Sequence, residues 1–91
     1  ALTRSMALDH AEQNIRINSI APGVIWSSYY EEMLRSVPDP DGFVSGLKAR
    51  APVNRMGQPH EIATMALFLA SDESSFATGA MFTVDGGYTA R

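Results

Sequence analysis

Leu2 and Met6, then Ala7 and Ala11, recur at four-residue spacing and lay one broad apolar stripe along residues 1–14. That rhythm predicts a helix. Asn14 suits its C-terminal cap, because asparagine tolerates left-handed backbone. The run Ile15-Arg16-Ile17-Asn18-Ser19-Ile20-Ala21 is rich in β-branched residues and is bounded by Pro22-Gly23, so it predicts a strand ending in a turn.

Residues 24–57 are less regular. Tyr30 to Ser36 and Gly42 to Arg50 predict two short helices, punctuated by Pro38, Pro40 and Pro52. A connection this long in a compact domain is usually a lid or a binding loop. Periodicity returns over 59–71, where Ile62, Met65, Ala66, Leu69 and Ala70 form the predicted buried stripe. Pro59 suits the first helical position, and Glu61 suits the positive end of the helix dipole. Asp72 to Phe76 predicts a capped turn, Ala80 to Val84 a second strand, and Asp85-Gly86-Gly87 its end. Helix, strand, helices and strand in that order imply parallel strands and an α/β layer architecture. A parallel sheet needs both faces covered, and two strands with two full helices cannot do that alone. The pattern therefore predicts missing partners, either an upstream half or a second copy of the chain. The opening at Ala1, in mid-helix rhythm and without an initiator methionine, hints at a fragment.

Composition narrows the function classes. At 91 residues the chain would bury roughly 60–65% of its unfolded surface and be marginal by itself. The net charge of −3 argues against a nucleic-acid surface, which needs clustered Lys and Arg. The longest apolar run, Met65 to Ala70, falls far short of the roughly 18 residues that span a bilayer. There is no cysteine, so disulfides, thiolate nucleophiles and Cys-ligated metals are excluded, and a cytoplasmic location is expected.

Four segments then match one family in order and spacing. Ala1-Leu2-Thr3-Arg4-Ser5-Met6-Ala7 with Asn14 to Gly23 resembles the helix-to-strand segment of short-chain dehydrogenase/reductases. Pro52-Val53-Asn54-Arg55-Met56-Gly57-Gln58-Pro59-His60-Glu61-Ile62-Ala63 is similar to that family's P-x-x-R-x-G-x-P-x-E-I-A stretch. Leu69 to Gly79 and Thr83-Val84-Asp85-Gly86-Gly87-Tyr88 resemble its closing segments. Only the loop at about 26–50 lies outside the resemblance.

The resemblance implies that residues 1–91 are the C-terminal portion of one NAD(P)-binding, Rossmann-type doubly wound domain, with 15–21 and 80–84 as its last two strands. It implies hydride transfer between NAD or NADP and a carbonyl or alcohol carbon, a small-molecule substrate, and a homodimer or homotetramer. Pro22-Gly23-Val24-Ile25-Trp26-Ser27 resembles the family's P-G-x-I-x-T. Pro22, Gly23, Val24, Ile25 and Ser27 are therefore the expected cofactor-binding residues, with Ser27 in the threonine position. The Ile backbone would bond the nicotinamide carboxamide, and the hydroxyl would help hold the carboxamide and phosphate. Residues 26–51 would be the substrate lid.

The family's glycine-rich loop and its Tyr-x-x-x-Lys pair do not occur in this sequence. Lys48 is the only lysine, and neither Tyr29 nor Tyr30 stands four residues before it. No catalytic residue is assigned, and whether the chain alone is an enzyme stays open. The alternative is a truncated, non-catalytic module that self-associates through the apolar faces its missing half would cover.

Other candidates read as structural. Asn18, polar in an interior strand, favours a tie to neighbouring backbone. Arg16 favours pairing or snorkelling over phosphate binding. His10 and His60 lack metal-ligand spacing and read as exposed helical residues. Glu31 and Glu32 point about 100° apart on a helix and do not form one site. Trp26, Tyr29, Tyr30, Met33, Leu34, Phe43, Val44 and Leu47 either face an apolar substrate or pack the lid.

Overall fold

The computed structural model describes residues 1–90. Its elements are α1 (Leu2–His10), β1 (Ser19–Pro22), α2 (Ser28–Leu34), α3 (Pro40–Ala49), α4 (Pro59–Ala70) and β2 (Met81–Val84). Short 3₁₀ turns follow α1, α4 and β2, at Ala11–Gln13, Asp72–Ser74 and Tyr88–Ala90. The two strands pair in parallel, with Ser19 opposite Met81 and Pro22 opposite Val84. All connections between them run through α2, α3 and α4, as a parallel pair requires.

The first helix is shorter than the apolar rhythm implies. It tightens into the 3₁₀ turn and stops at Asn14, whose φ of 59° gives the left-handed cap expected of it. Strand β1 begins at Ser19 rather than Ile15, and the missing residues have a physical reason. Between Ile15 and Asn18 no regular ladder forms: the Ile17 carbonyl accepts the Gly79 N–H at 2.7 Å, and side chains make the remaining cross-links. The Ile17 N–H donates to Thr78 Oγ1 at 3.1 Å. Asn18 donates through Nδ2 to the Ala77 carbonyl at 2.9 Å and accepts the Ala80 N–H at 3.2 Å, the structural tie expected of it.

Arg16 departs from both readings. It neither pairs with a carboxylate nor snorkels. Its guanidinium donates to the carbonyls of Leu69 (3.1 Å), Ser71 (3.0 Å), Ser74 (2.8 Å) and Ala77 (3.3 Å) and to Ser74 Oγ (2.9 Å). Helix C-termini leave their last carbonyls without partners, and a cation there satisfies them and complements the dipole. Arg16 thereby fastens the end of α4 to the entry of β1.

Few of the described residues are buried: Ala7, Leu47, Ala51 and Met56 are the apolar ones and Ser74 the polar one. Ala7 packs close to Gly79 just before β2. Leu47 anchors α3, and burying it contributes about 1.5–3 kcal/mol. The expected stripe on α4 is only half-buried at Ile62, Met65 and Leu69, while Ala66 and Ala70 are exposed. Leu67 is 72% exposed, Phe76 fully exposed and Met81 67% exposed. The radius of gyration is 16.6 Å, against about 12 Å for a compact chain of this length. These residues fold as a layer with open apolar faces rather than a closed globule, as two strands with few helices require.

Candidate nicotinamide-side site

The site grows from the C-terminal end of β1, where ligands bind in open α/β sheets. Pro22 ends the strand, and the Gly23 N–H continues the ladder by donating to the Val84 carbonyl at 3.0 Å. A side chain at Gly23 would lie 2.7 Å from the Asp85 Cα, so only glycine lets the two strand exits pass this closely. Beyond it, Ile25 forms an isolated parallel bridge with Gly57. The Gly57 N–H donates to the Val24 carbonyl and the Trp26 N–H to the Gly57 carbonyl, each at 2.9 Å. In a parallel bridge the central residue's own N–H and C=O point away from its partner. The Ile25 peptide groups therefore face the side that Gly57 does not occupy.

Ser27 caps α2 with its carbonyl, which accepts the N–H groups of Tyr30 (3.1 Å) and Glu31 (3.2 Å). Its hydroxyl makes no capping bond. The structure thus brings Pro22, Gly23, Val24, Ile25 and Ser27 together on one short path. A narrow cleft of about 60 Å³ lies beside it, with Val24, Ile25, Val53, Arg55, Gly57 and Asp85 in its walls. That space holds a few waters and no dinucleotide.

The opposite wall was not assigned a role by sequence reasoning. Arg55 donates to both Glu61 oxygens, at 2.8 and 2.9 Å, and to the Met56 carbonyl at 3.2 Å. Glu61 Oε1 also accepts the Gln58 N–H at 2.9 Å, the return half of a capping box. Its hydrogen bond from Arg55, and next that from the Gln58 backbone, hold the Glu61 carboxyl down to about 2. The three-residue spacing from Gln58 to Glu61 was the available signal, and a dipole reading alone understates it. Asp85 accepts from the Gly87 N–H, the Thr89 N–H and the Thr89 hydroxyl. The Thr89 hydroxyl bond is the main reason its carboxyl lies below the ordinary range.

Among the described residues no cluster of His, Asp or Glu could hold a metal ion. His60 is exposed on α4, whereas His10 is half-buried and bonds the Gln13 side chain, a small departure from the expected exposure. Glu31 and Glu32 are both exposed, and Glu31 accepts the Trp26 indole N–H at 3.3 Å. Tyr30 stacks on Trp26 at 6.4 Å and takes the edge of Tyr29 at 5.3 Å. The aromatic residues of 26–30 thus pack on one another, with Tyr29 still 64% exposed. No helix among the described residues is long and apolar enough to cross a membrane.

Comparison with known proteins decides the family. A family model described as enoyl-(acyl carrier protein) reductase matches residues 1–89. The chain belongs to the short-chain dehydrogenase/reductase family. It is 44% identical over 87 residues to L-fucose dehydrogenase from Bos taurus, covering 96% of this chain and 32% of that protein. It is 45% identical over 91 residues to an uncharacterized oxidoreductase of Bacillus subtilis, covering 98% and 33%. Among solved structures it matches a short chain dehydrogenase family protein from Francisella tularensis with a TM-score of 0.89 and 37% identity, over 99% of this chain and 39% of that one. It also matches 4-hydroxyisoleucine dehydrogenase complexed with NADH, with a TM-score of 0.86 and 38% identity, over 99% and 35%. The short-chain dehydrogenase/reductase segment described here is a partial Rossmann fold, and it spans about a third of the length of the curated relatives it matches.

Proposed function

We propose that this chain is the nicotinamide-side part of an NAD- or NADP-dependent oxidoreductase that interconverts a ketone or aldehyde and an alcohol. The observation that carries the proposal is the backbone edge at Ile25, fixed from behind by Gly57 and facing away from it, with the Ser27 hydroxyl two residues on. A carboxamide offers one acceptor oxygen and two N–H donors, and the N–H and C=O of one extended residue complement both. The Ser27 hydroxyl both donates and accepts, so it suits the carboxamide, which offers both. Pro22 and Gly23 aim this edge, and Val24 ties it to Gly57. The cofactor would supply the hydride, while these residues hold and orient its nicotinamide end. That a relative of the same fold is described with NADH supports the reading.

The same proposal assigns no proton-transfer group to this chain. The adenosine half of the cofactor would be held by residues outside it, since the family's glycine-rich loop does not occur in this sequence. Residues 26–51 would cover a small carbonyl or alcohol substrate, with Tyr29 the most exposed aromatic residue on that cover. The protein would act in the cytoplasm as a homodimer or homotetramer, and the open apolar positions at Leu67, Phe76 and Met81 suit subunit contacts. Those same positions favour a second reading, in which the segment alone is a self-associating module without activity.

Intact mass and cofactor titration together separate the two. The oxidoreductase reading expects a mass well above 9.9 kDa for the protein as isolated and saturable binding of NADH or NADPH. Replacing Ser27 by Ala should then weaken NADH binding roughly three- to tenfold, the worth of one hydrogen bond, and leave ADP-ribose binding unchanged. A protein of 9.9 kDa that binds neither nucleotide but self-associates would replace this reading with the second.

A further inference from the structure

The Ile25 edge is only as well placed as the peptide behind it. That peptide is Gly57, which lies in an irregular stretch between α3 and α4 and belongs to no strand. Its own N–H and C=O bond Val24 and Trp26, and the residues on either side of it are tied to one carboxylate. Glu61 gathers the Arg55 guanidinium on one side of Gly57 and the Gln58 N–H on the other. Arg55 in turn holds the Met56 carbonyl, so residues 55–58 are wrapped around a single anionic centre. A side chain placed on Gly57 would lie 2.6 Å from Ile25 Cδ1 and 4.0 Å from Glu61 Oε1, which shows how closely the three residues stack.

We propose that Glu61, acting through Arg55 and the Gln58 N–H, is a positioning residue for the nicotinamide-binding edge, because it sets the Gly57 peptide that grips Val24 and Trp26. This rests on the reading of Ile25 and Ser27 as the nicotinamide clamp. Glu61 touches neither cofactor nor substrate in this role. A rigid start of α4 is converted into a fixed loop, and the loop into a fixed backbone edge on β1. A misplacement of about 1 Å at such an edge is enough to cost up to roughly a hundredfold in a reacting complex. The carboxyl, held down at about 2, keeps its charge throughout the neutral range.

The test compares wild type with Glu61→Gln in the protein as isolated. Glutamine still suits the capping position and accepts the Gln58 N–H, but it loses the bidentate ion pair. The first readout needs no cofactor: amide exchange at Gly57 and Trp26 should accelerate, while exchange at Gly23, held by Val84, should not. In the second, the Kd for NADH should rise about tenfold while that for ADP-ribose stays within about twofold, since only the nicotinamide end is displaced. A residue that merely stabilises the fold would lower the unfolding midpoint and leave the ratio of the two Kd values unchanged. That result, or unaltered exchange at Gly57 and Trp26, overturns the inference. If Glu61→Gln yields too little folded protein, Arg55→Met keeps the Gln58 cap, and the same ratio and exchange are read. Should Ser27→Ala weaken NADH and Glu61→Gln not, only the positioning role falls. Should wild type bind no NADH or NADPH, the clamp reading falls and takes this inference with it.

Discussion

Replacing Arg16 by Ala removes a guanidinium that serves four backbone carbonyls and one hydroxyl at the end of α4, over distances of 2.8 to 3.3 Å. A charge-assisted hydrogen bond contributes about 1.5–3 kcal/mol net, but bonds from one group are not additive. Water can reach part of the site, because Arg16 itself is only half-buried. Ser74, however, is 4% exposed, so the Ser74 end cannot simply be rehydrated. The expected cost is about 2–4 kcal/mol, more than one such bond at its mean value and less than two at their full value. With a urea slope of about 2 kcal/mol/M, the unfolding midpoint should fall by about 1–2 M. Arg16→Lys keeps the charge but lacks the planar fork, so it should recover less than half of the loss. Urea unfolding followed by circular dichroism measures both. A loss under about 0.5 kcal/mol for the Ala variant, the range of ordinary surface substitutions, would refute the claim that Arg16 fastens α4 to β1.

Other substitutions and conditions probe separate parts of the account. Gly23→Ala sets a Cβ 2.7 Å from backbone at Asp85, where no flexible side-chain end can yield, so it should cost about 1–3 kcal/mol in chemical unfolding. The Glu61 carboxyl sits at about 2 against an ordinary 4.5, so its contribution is complete above pH 4.5 and lost as pH falls towards 2. Unfolding midpoints of wild type and Glu61→Gln, measured across that window, should converge at its acid end. Leu47→Ala empties the one buried large side chain of α3 and should cost about 2–5 kcal/mol, with local amide exchange in α3 rising more than in β1.

Much of this was legible in the sequence because local rules and tertiary demands agreed. The four-residue apolar rhythm placed α1 and α4, and Pro59 marked the start of α4 to the residue. Asn14 took the left-handed cap its side chain allows. Strand β1 was read four residues too early because β-branched residues at 15–18 speak only for extended backbone. They cannot reveal that the Thr78 and Asn18 side chains take over part of the cross-strand bonding there, beside a single Gly79-to-Ile17 backbone bond. Arg16 was misread for the same reason: its partners are carbonyls of residues 69–77, which no local pattern connects to position 16. The α4 stripe was over-read as buried, since periodicity identifies which face is apolar and not whether anything covers it. At the candidate site, Pro22, Gly23, Val24, Ile25 and Ser27 were proposed from the resemblance alone. Gly57 and Glu61 stood in a recognised motif, but their link to Ile25 spans more than 30 residues and is visible only in three dimensions.

Amide chemical shifts of the isotope-labelled protein, titrated with NADH and separately with ADP-ribose, test the central claim most directly. The account predicts that the amides of Val24, Ile25 and Ser27 move with NADH and stay still with ADP-ribose, and that nicotinamide ring protons show through-space contacts to Ile25. Equal shifts with both ligands, or none at Ile25 under saturating NADH, would contradict the assignment of this edge to the nicotinamide.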